Sequence, residues 1–180
     1  MFKKGAKPWR IIMGLGNPGP EYRNTYHNVG ITALRALAAE LQKEQGAAPN
    51  WRNARLFRYA KYGPFVLAES LTFMNGSGMA AAAALRHFRE SPERFLVLHD
   101  DSDIGIGSFK LVFKRGSAGH RGVQSVLGAL KTKNFWRGRI GVRNRGGKAG
   151  EFVLKTISAG DKELIYRAIG ELTKKVIVND

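Results

Sequence analysis

IIMGLGNPGPEYRNTYHN, residues 11–28, decides how the chain is read: an apolar run enters a glycine-rich loop that leads into a long stretch of helical period. Gly14, Gly16 and Gly19 spell G-x-G-x-x-G, the pattern with which a strand, turn and helix cradle the pyrophosphate of a dinucleotide. Such a cradle needs free backbone N–H groups at the start of a helix. Pro18 and Pro20 remove two of them, and the helical period begins only around Asn28, nine residues beyond Gly19. The acid expected about 20 residues further on is Glu40, inside that helix and not at the tip of a second strand. The loop is therefore a shaped turn, which carries Asn17, Tyr22, His27 and Asn28 to the C-terminal edge of the first strand.

Outward from this segment, apolar runs ending in Gly or Asp alternate with amphipathic stretches, the pattern of an α/β sheet layered with helices. Strands are predicted near 9–16, 55–61, 64–69, 94–99, 107–113 and 137–142, and helices near 28–45, 77–89, 120–131 and 160–176. In the first helix Ile31, Leu34, Leu37, Ala38 and Leu41 recur at three- and four-residue spacing and form a core-facing stripe. Loops are expected at 17–26, 70–76, 100–106, 114–119 and 144–150. At 180 residues and 43% hydrophobic, the chain is long enough for one well-packed core, and one domain over 1–180 is expected.

The 180 residues contain no cysteine, which excludes disulfides, thiolate metal sites and a thiol nucleophile. MFKKGAKPWRII at the start has too short an apolar run for a signal peptide, and no stretch approaches the length of a membrane span. A soluble, cytoplasmic protein without a membrane partner is expected. The charge is less ordinary, with 30 Lys+Arg against 14 Asp+Glu for a net +16. From Ile104 to Gly150 there are eleven basic residues, Lys110, Lys114, Arg115 and Arg121 among them, and no acid. Like charges at this density repel one another in a folded domain, so a phosphate-rich partner, above all nucleic acid, is expected.

Three further loops bring chemistry to strand ends: LTFMNGSG with Asn75, LHDDSDIGIG with Asp100 and Asp103, and RGSAGHRG with His120. Taken singly, Asn before Gly is a common turn residue, Asp after a strand a common cap, and a lone His commonly packed or solvated. Together they offer histidine, carboxylate and carboxamides where open α/β sheets bind ligands. There is no G-x-S-x-G elbow for a serine nucleophile, and the four histidines show no familiar zinc spacing.

In this order the segments resemble the bacterial-type peptidyl-tRNA hydrolase family. GLGNPGPEYRNTYHNVG, LTFMNGSG, LHDDSDIGIGSFKLVFKRGSAGHRG, NFWRGRIGVR and FVLKTIS together span nearly the whole chain. The resemblance implies a three-layer α/β/α domain around a twisted mixed β-sheet, and a monomeric enzyme without metal or cofactor that hydrolyses the ester between peptide and tRNA. It marks His27 as the general base, Asp100 as its hydrogen-bond partner, and Asn75 and Asn17 as groups that hold the water, the oxyanion or the substrate near the ester. Tyr22, Asn28, Met74 and His120 match crevice positions that contact peptide and the acceptor end of tRNA. Lys110, Lys114, Arg115 and Arg121 are expected to meet tRNA phosphates.

Two departures from the family pattern stand out. HDDSDIGIG has Ser102 where an apolar residue is usual and lacks the usual proline before its glycine, and Arg121 follows His120 where the family usually has Asn. A non-catalytic RNA-binding protein of the same fold is the alternative reading. What separates the two is the complete set His27, Asp100, Asn75 and Asn17, because phosphate contacts alone carry no chemistry.

Overall fold

The computed structural model describes residues 8–46, 48–143 and 152–177. The 144–150 loop expected from the sequence lies outside the described residues. β1 (Ile11–Gly14) is the buried centre of the sheet, paired in parallel with β4 (Phe65–Ser70) on one side and β5 (Phe95–Gly105) on the other. Antiparallel β3 (Phe57–Tyr62) and the two-residue β2 (Arg52–Asn53) extend it beyond β4. On the opposite side β7 (Trp136–Arg143) runs parallel to β5, and β6 (Phe109–Phe113) antiparallel to β7. The order β2-β3-β4-β1-β5-β7-β6 makes a mixed sheet of seven strands.

Alternation along the strands divides the core into two layers. Ile12, Leu67, Leu96, Leu98 and Ile140 face α1 (Val29–Gln45) and α4 (Ala159–Ile177), with Leu34, Leu37 and Leu41 closing that side as the helical stripe predicts. Ile11, Met13, Val66, Phe95 and Val97 face α2 (Ser77–Phe88) and α3 (Arg121–Leu130). The expected three-layer α/β/α class with a mixed sheet is the one observed.

Two local expectations fail for identifiable reasons. The polar stretch 100–106 is not simply a loop, because β5 continues to Gly105. Its residues pair with β7 through Asp101 and Gly141, slip at a bulge, and re-pair at Gly105 with Arg143. A neighbouring ladder thus overrides the loop propensity of Asp, Ser and Gly. The edge strand β2 was not expected, and it pairs with Arg58 and Tyr59 of β3.

The glycine pattern of residues 14–19 acts in packing. α1 approaches β1 and β5 so closely at Gly30 that a Cβ there would collide with the carbonyl oxygens of Leu98 and Leu15, and one at Gly14 would lie 2.7 Å from the Gly30 carbonyl oxygen. These are backbone atoms, which cannot rotate away. Gly30→Ala is therefore expected to cost about 2 kcal/mol through overpacking, seen as a melting temperature lower by roughly 4–8 °C. An unchanged melting temperature would mean that α1 sits further from the sheet than described.

Candidate active site

At the C-terminal ends of β1 and β5, a crevice of about 290 Å³ is lined by Asn17, His27, Met74, Asn75, Asp100, Asp101, Ser102, Ala118, Gly119, His120, Arg121, Val153 and Leu154. Four separate loops and strand ends converge here. His27 sits in a single 3-10 turn, Tyr26–Asn28, just before α1. Its backbone N–H donates to the Val153 carbonyl (2.8 Å), and Ile157 N–H donates to the Asn24 carbonyl (2.9 Å). An isolated antiparallel bridge joins Thr25 to Thr156 between them. Residues 153–157 are therefore a strap laid along the segment that carries His27. The Tyr26 hydroxyl donates to Asp161 (2.5 Å) at the start of α4, a bond that together with burial raises the phenol above its ordinary range.

His27 Nδ1 lies 3.0 Å from both carboxylate oxygens of Asp100, with 12% of its side chain exposed. Asp100 is buried on β5, and burial alone would raise its carboxyl. The imidazoles of His120 and His27 more than offset this and hold it well below the usual carboxylate range. An ionised carboxylate only accepts hydrogen bonds, so His27 Nδ1 donates, and in the neutral ring the lone pair is at Nε2.

His120 is fixed still more tightly. Its Nδ1 accepts from the backbone N–H groups of Gly122 and Val123 (3.1 and 3.2 Å), which makes it the N-cap of α3. Two donors at Nδ1 force the ring proton onto Nε2, which donates to Asp100 Oδ1 at 2.8 Å. His99, fully buried on β5, completes the stack with its ring 4.7 Å from His120. Its Nδ1 donates to the Asp100 backbone carbonyl (2.6 Å), and burial holds its imidazole well below the ordinary range. The charge of Asp101 is met by Arg139 (2.6 Å), beside Arg137, whose buried guanidinium is pushed down to about 10 by desolvation and the neighbouring Arg139.

The asparagines form the other wall. Asn17 Oδ1 accepts from Met74 N–H (2.8 Å), which ties the loop after β1 to the turn before α2 and leaves its NH2 as the crevice-facing donor. Asn28 is buried, with Nδ2 donating to the Asn17 carbonyl (2.9 Å) and Oδ1 accepting from Asn17 N–H (2.8 Å). It does not line the crevice; it fixes the loop that presents Asn17. Asn75 is exposed on the rim.

Met74 is buried in the crevice floor, and Arg121 is exposed at the first turn of α3. Tyr22 is half-buried outside the lining, edge to face with Phe73 at 6.2 Å. Lys110 on β6, with Lys114 and Arg115 just after it, is exposed and set apart from the crevice lining. His120 lines the crevice, but both its ring nitrogens are engaged inside the protein, so it acts on Asp100 and α3. The sequence reading assigned no role to Val153 and Leu154 or to His99. FVLKTIS signals the first two only as an apolar pair, and HD signals the third only by adjacency to Asp100.

His27, Asp100 and His120 also bring three ligand-type atoms within 4.8 Å of one another. A metal there would need the lone pair of His120 Nε2, whereas the α3 N–H groups hold the proton at that atom. The cluster is chemically suited to orienting a base: a carboxylate fixes one imidazole, a second imidazole fixes the carboxylate, and carboxamide donors stand alongside.

Comparison with known proteins gives a consistent result. A family model described as peptidyl-tRNA hydrolase matches residues 11–178. The peptidyl-tRNA hydrolase of Aquifex aeolicus (strain VF5) is 36% identical over 165 residues, 89% of this chain and 84% of its own. That of Bordetella avium (strain 197N) is 39% identical over 141 residues, 76% of this chain and 66% of its own. The crystal structure of peptidyl-tRNA hydrolase from Acinetobacter baumannii aligns with a TM-score of 0.85 at 27% identity, over 96% of this chain and 88% of that one.

The depressed Asp100 carboxyl has a consequence for stability. Its folded value lies below the unfolded one, so its contribution is present above about pH 4 and is lost as the pH falls toward the folded value. The stability difference between wild type and Asp100→Asn, from urea unfolding, is expected to shrink between about pH 5 and about pH 2. A difference constant over that range would mean that the carboxyl is not held by its imidazole partners.

Proposed function

This chain belongs to the peptidyl-tRNA hydrolase family, and we propose that its reaction, hydrolysis of the ester that joins peptide to tRNA, runs through a water activated by His27. The observation that carries this reading is the bidentate hold of Asp100 on His27 Nδ1, which leaves Nε2 as a lone pair at the crevice.

His27 Nε2 takes a proton from water as the oxygen attacks the ester carbonyl, and Asp100 stabilises the imidazolium that forms. The carbonyl π electrons move onto oxygen, where the NH2 groups of Asn75 and Asn17 donate to the developing negative charge. Collapse of the tetrahedral adduct re-forms the carbonyl and breaks the bond to the ribose oxygen, which takes the proton from His27. The products are a peptide acid and a tRNA hydroxyl. Each well-placed oxyanion donor is typically worth about 10²- to 10³-fold in rate.

Recognition of the rest of the substrate follows from charge and shape. We assign Lys110, Lys114 and Arg115 to the acceptor-stem phosphates, supported by their exposure and by the absence of acids from Ile104 to Gly150. Arg121 carries a planar cationic fork to the crevice mouth, and it takes a phosphate near the tRNA terminus. Tyr22 with Phe73, Met74 and Leu154 supply apolar surface for peptide and terminal base. No helix among the described residues is long and apolar enough to cross a membrane. The reading extends to a monomer acting in the cytoplasm, supported by a catalytic set drawn from one chain and by the place where peptidyl-tRNA arises.

The test is release of labelled peptide from peptidyl-tRNA. His27→Ala is expected to lower turnover about 10³-fold while tRNA affinity is retained, because the loss falls on the chemical step. Near-normal turnover would remove His27 as the base, and loss of tRNA binding would make it a recognition residue.

A further inference from the structure

The first N–H groups of a helix find no carbonyl within it. At the turn before α1, those of Tyr26 and His27 are met by the strap instead: Tyr26 N–H donates to the Lys155 carbonyl (3.3 Å) and His27 N–H to that of Val153 (2.8 Å). The place of the His27 backbone therefore depends on where the strap lies. Val153 and Leu154 of the same strap also line the crevice. Leu154, Lys155 and Thr156, its middle residues, are exposed, so burial does little to hold it and its place is set at its ends.

Both ends converge on the Tyr26 side chain. Before the strap, the Phe152 ring meets Tyr26 edge to face with centroids 5.5 Å apart. After it, Ser158 caps α4 in the manner of a capping box, its Oγ accepting from the N–H of Asp161 (3.2 Å). In such a box the acidic side chain three residues on turns back toward the N–H of the capping residue, and Asp is one methylene shorter than the Glu that commonly does so. The Tyr26 hydroxyl stands between the two: it accepts from Ser158 N–H (3.4 Å) and donates to the Asp161 carboxylate (2.5 Å). Desolvation, and after it the bond to Asp161, holds this phenol above its ordinary range, so it remains a donor at neutral pH. A Glu closes such a box within its own helix; a phenol in the box ties α4 to the residue before His27.

We propose that Tyr26 is a positioning residue for the hydrolysis: by completing the cap of α4 it holds the strap against the turn before α1 and sets where His27 Nε2 meets the crevice. This role rests on His27 acting as the base. Asp100 orients the imidazole, whereas the strap places the backbone that carries it, so the two constraints act on different parts of one residue. Without the hydroxyl the strap loses its hold at Ser158 and Asp161, the His27 backbone shifts with it, and the base loses its alignment with the attacking water. Lys110, Lys114, Arg115 and Arg121, assigned to tRNA phosphates, lie outside the strap and keep their place.

The test places Tyr26→Phe in two backgrounds, wild type and His27→Ala, and follows peptide release from peptidyl-tRNA below the melting temperature of every variant. In the wild-type background kcat is expected to fall roughly 10- to 100-fold with KM changed by less than about threefold. In the His27→Ala background the residual rate is expected to stay within about twofold, because no base remains to be positioned. Asp161→Asn, whose carboxamide oxygen still accepts from the phenol, is expected to keep kcat near wild type. Tyr26→Phe combined with Asp161→Asn removes the hydroxyl without leaving a bare buried carboxylate, and is expected to reproduce the loss where Tyr26→Phe alone folds poorly. Amide exchange at His27 and Ile157, which both donate between turn and strap, is expected to quicken in the Phe variants. Wild-type kcat in the Phe variants, equal losses in the two backgrounds, or unchanged exchange at both amides would overturn the proposal. Failure of the base reading shows separately, as near-normal turnover in His27→Ala with Tyr26 intact.

Discussion

A buried carboxylate must be partnered or protonated, and the site is organised around that constraint on Asp100. Its oxygens receive His27 Nδ1 at 3.0 Å and His120 Nε2 at 2.8 Å. Because His120 is also the N-cap of α3, the helix and the catalytic base are fixed through one carboxylate. The three histidines around Asp100 take their proton positions from their partners: His27 from the carboxylate, His120 from two backbone N–H groups, His99 from a backbone carbonyl. None depends on a mobile surface group.

The fold supplies the precision. Glycines at 14 and 30 let α1 lie directly on β1 and β5, so the turn before α1 holds His27 over the end of β5. The strap at 153–157 fixes the backbone of that turn from the other side, and Tyr26 anchors it to the start of α4. Asn28 and Asn17 hold each other through the loop backbone, and Asn17 in turn holds Met74. The chemistry therefore rests on groups locked by packing and hydrogen bonds, and the apolar and cationic groups at the rim are left to meet the substrate.

Much of this was legible in the sequence, for physical reasons. The helical stripe of α1 and the apolar runs of β1, β4, β5 and β7 are local patterns, and the prolines at 18 and 20 with the late helix start exclude a dinucleotide cradle without a structure. His27, Asp100, Asn17 and Asn75 could be named because each sits at a strand end or turn within a motif that resembles one family. The division of labour among them was not legible. Whether His120 touches substrate or carboxylate depends on which ring nitrogen meets which partner, and that is set by the start of α3, twenty residues from Asp100. Asn28 likewise turned from a crevice contact into a loop brace because its partner, the Asn17 backbone, is eleven residues away. The strand character of 100–105 was hidden because pairing with β7 overrides the local loop signal.

The central claim is that one ionised carboxylate orients the base while a tautomer-fixed histidine holds that carboxylate. Long-range ¹⁵N–¹H correlation spectra of the histidine rings near neutral pH test it most directly, because nitrogen shifts distinguish a protonated from an unprotonated ring position. The account predicts His27 protonated at Nδ1 with an unprotonated Nε2, and His120 protonated at Nε2 with an unprotonated Nδ1. A His120 ring protonated at Nδ1, or a His27 ring protonated at Nε2 alone, would contradict it.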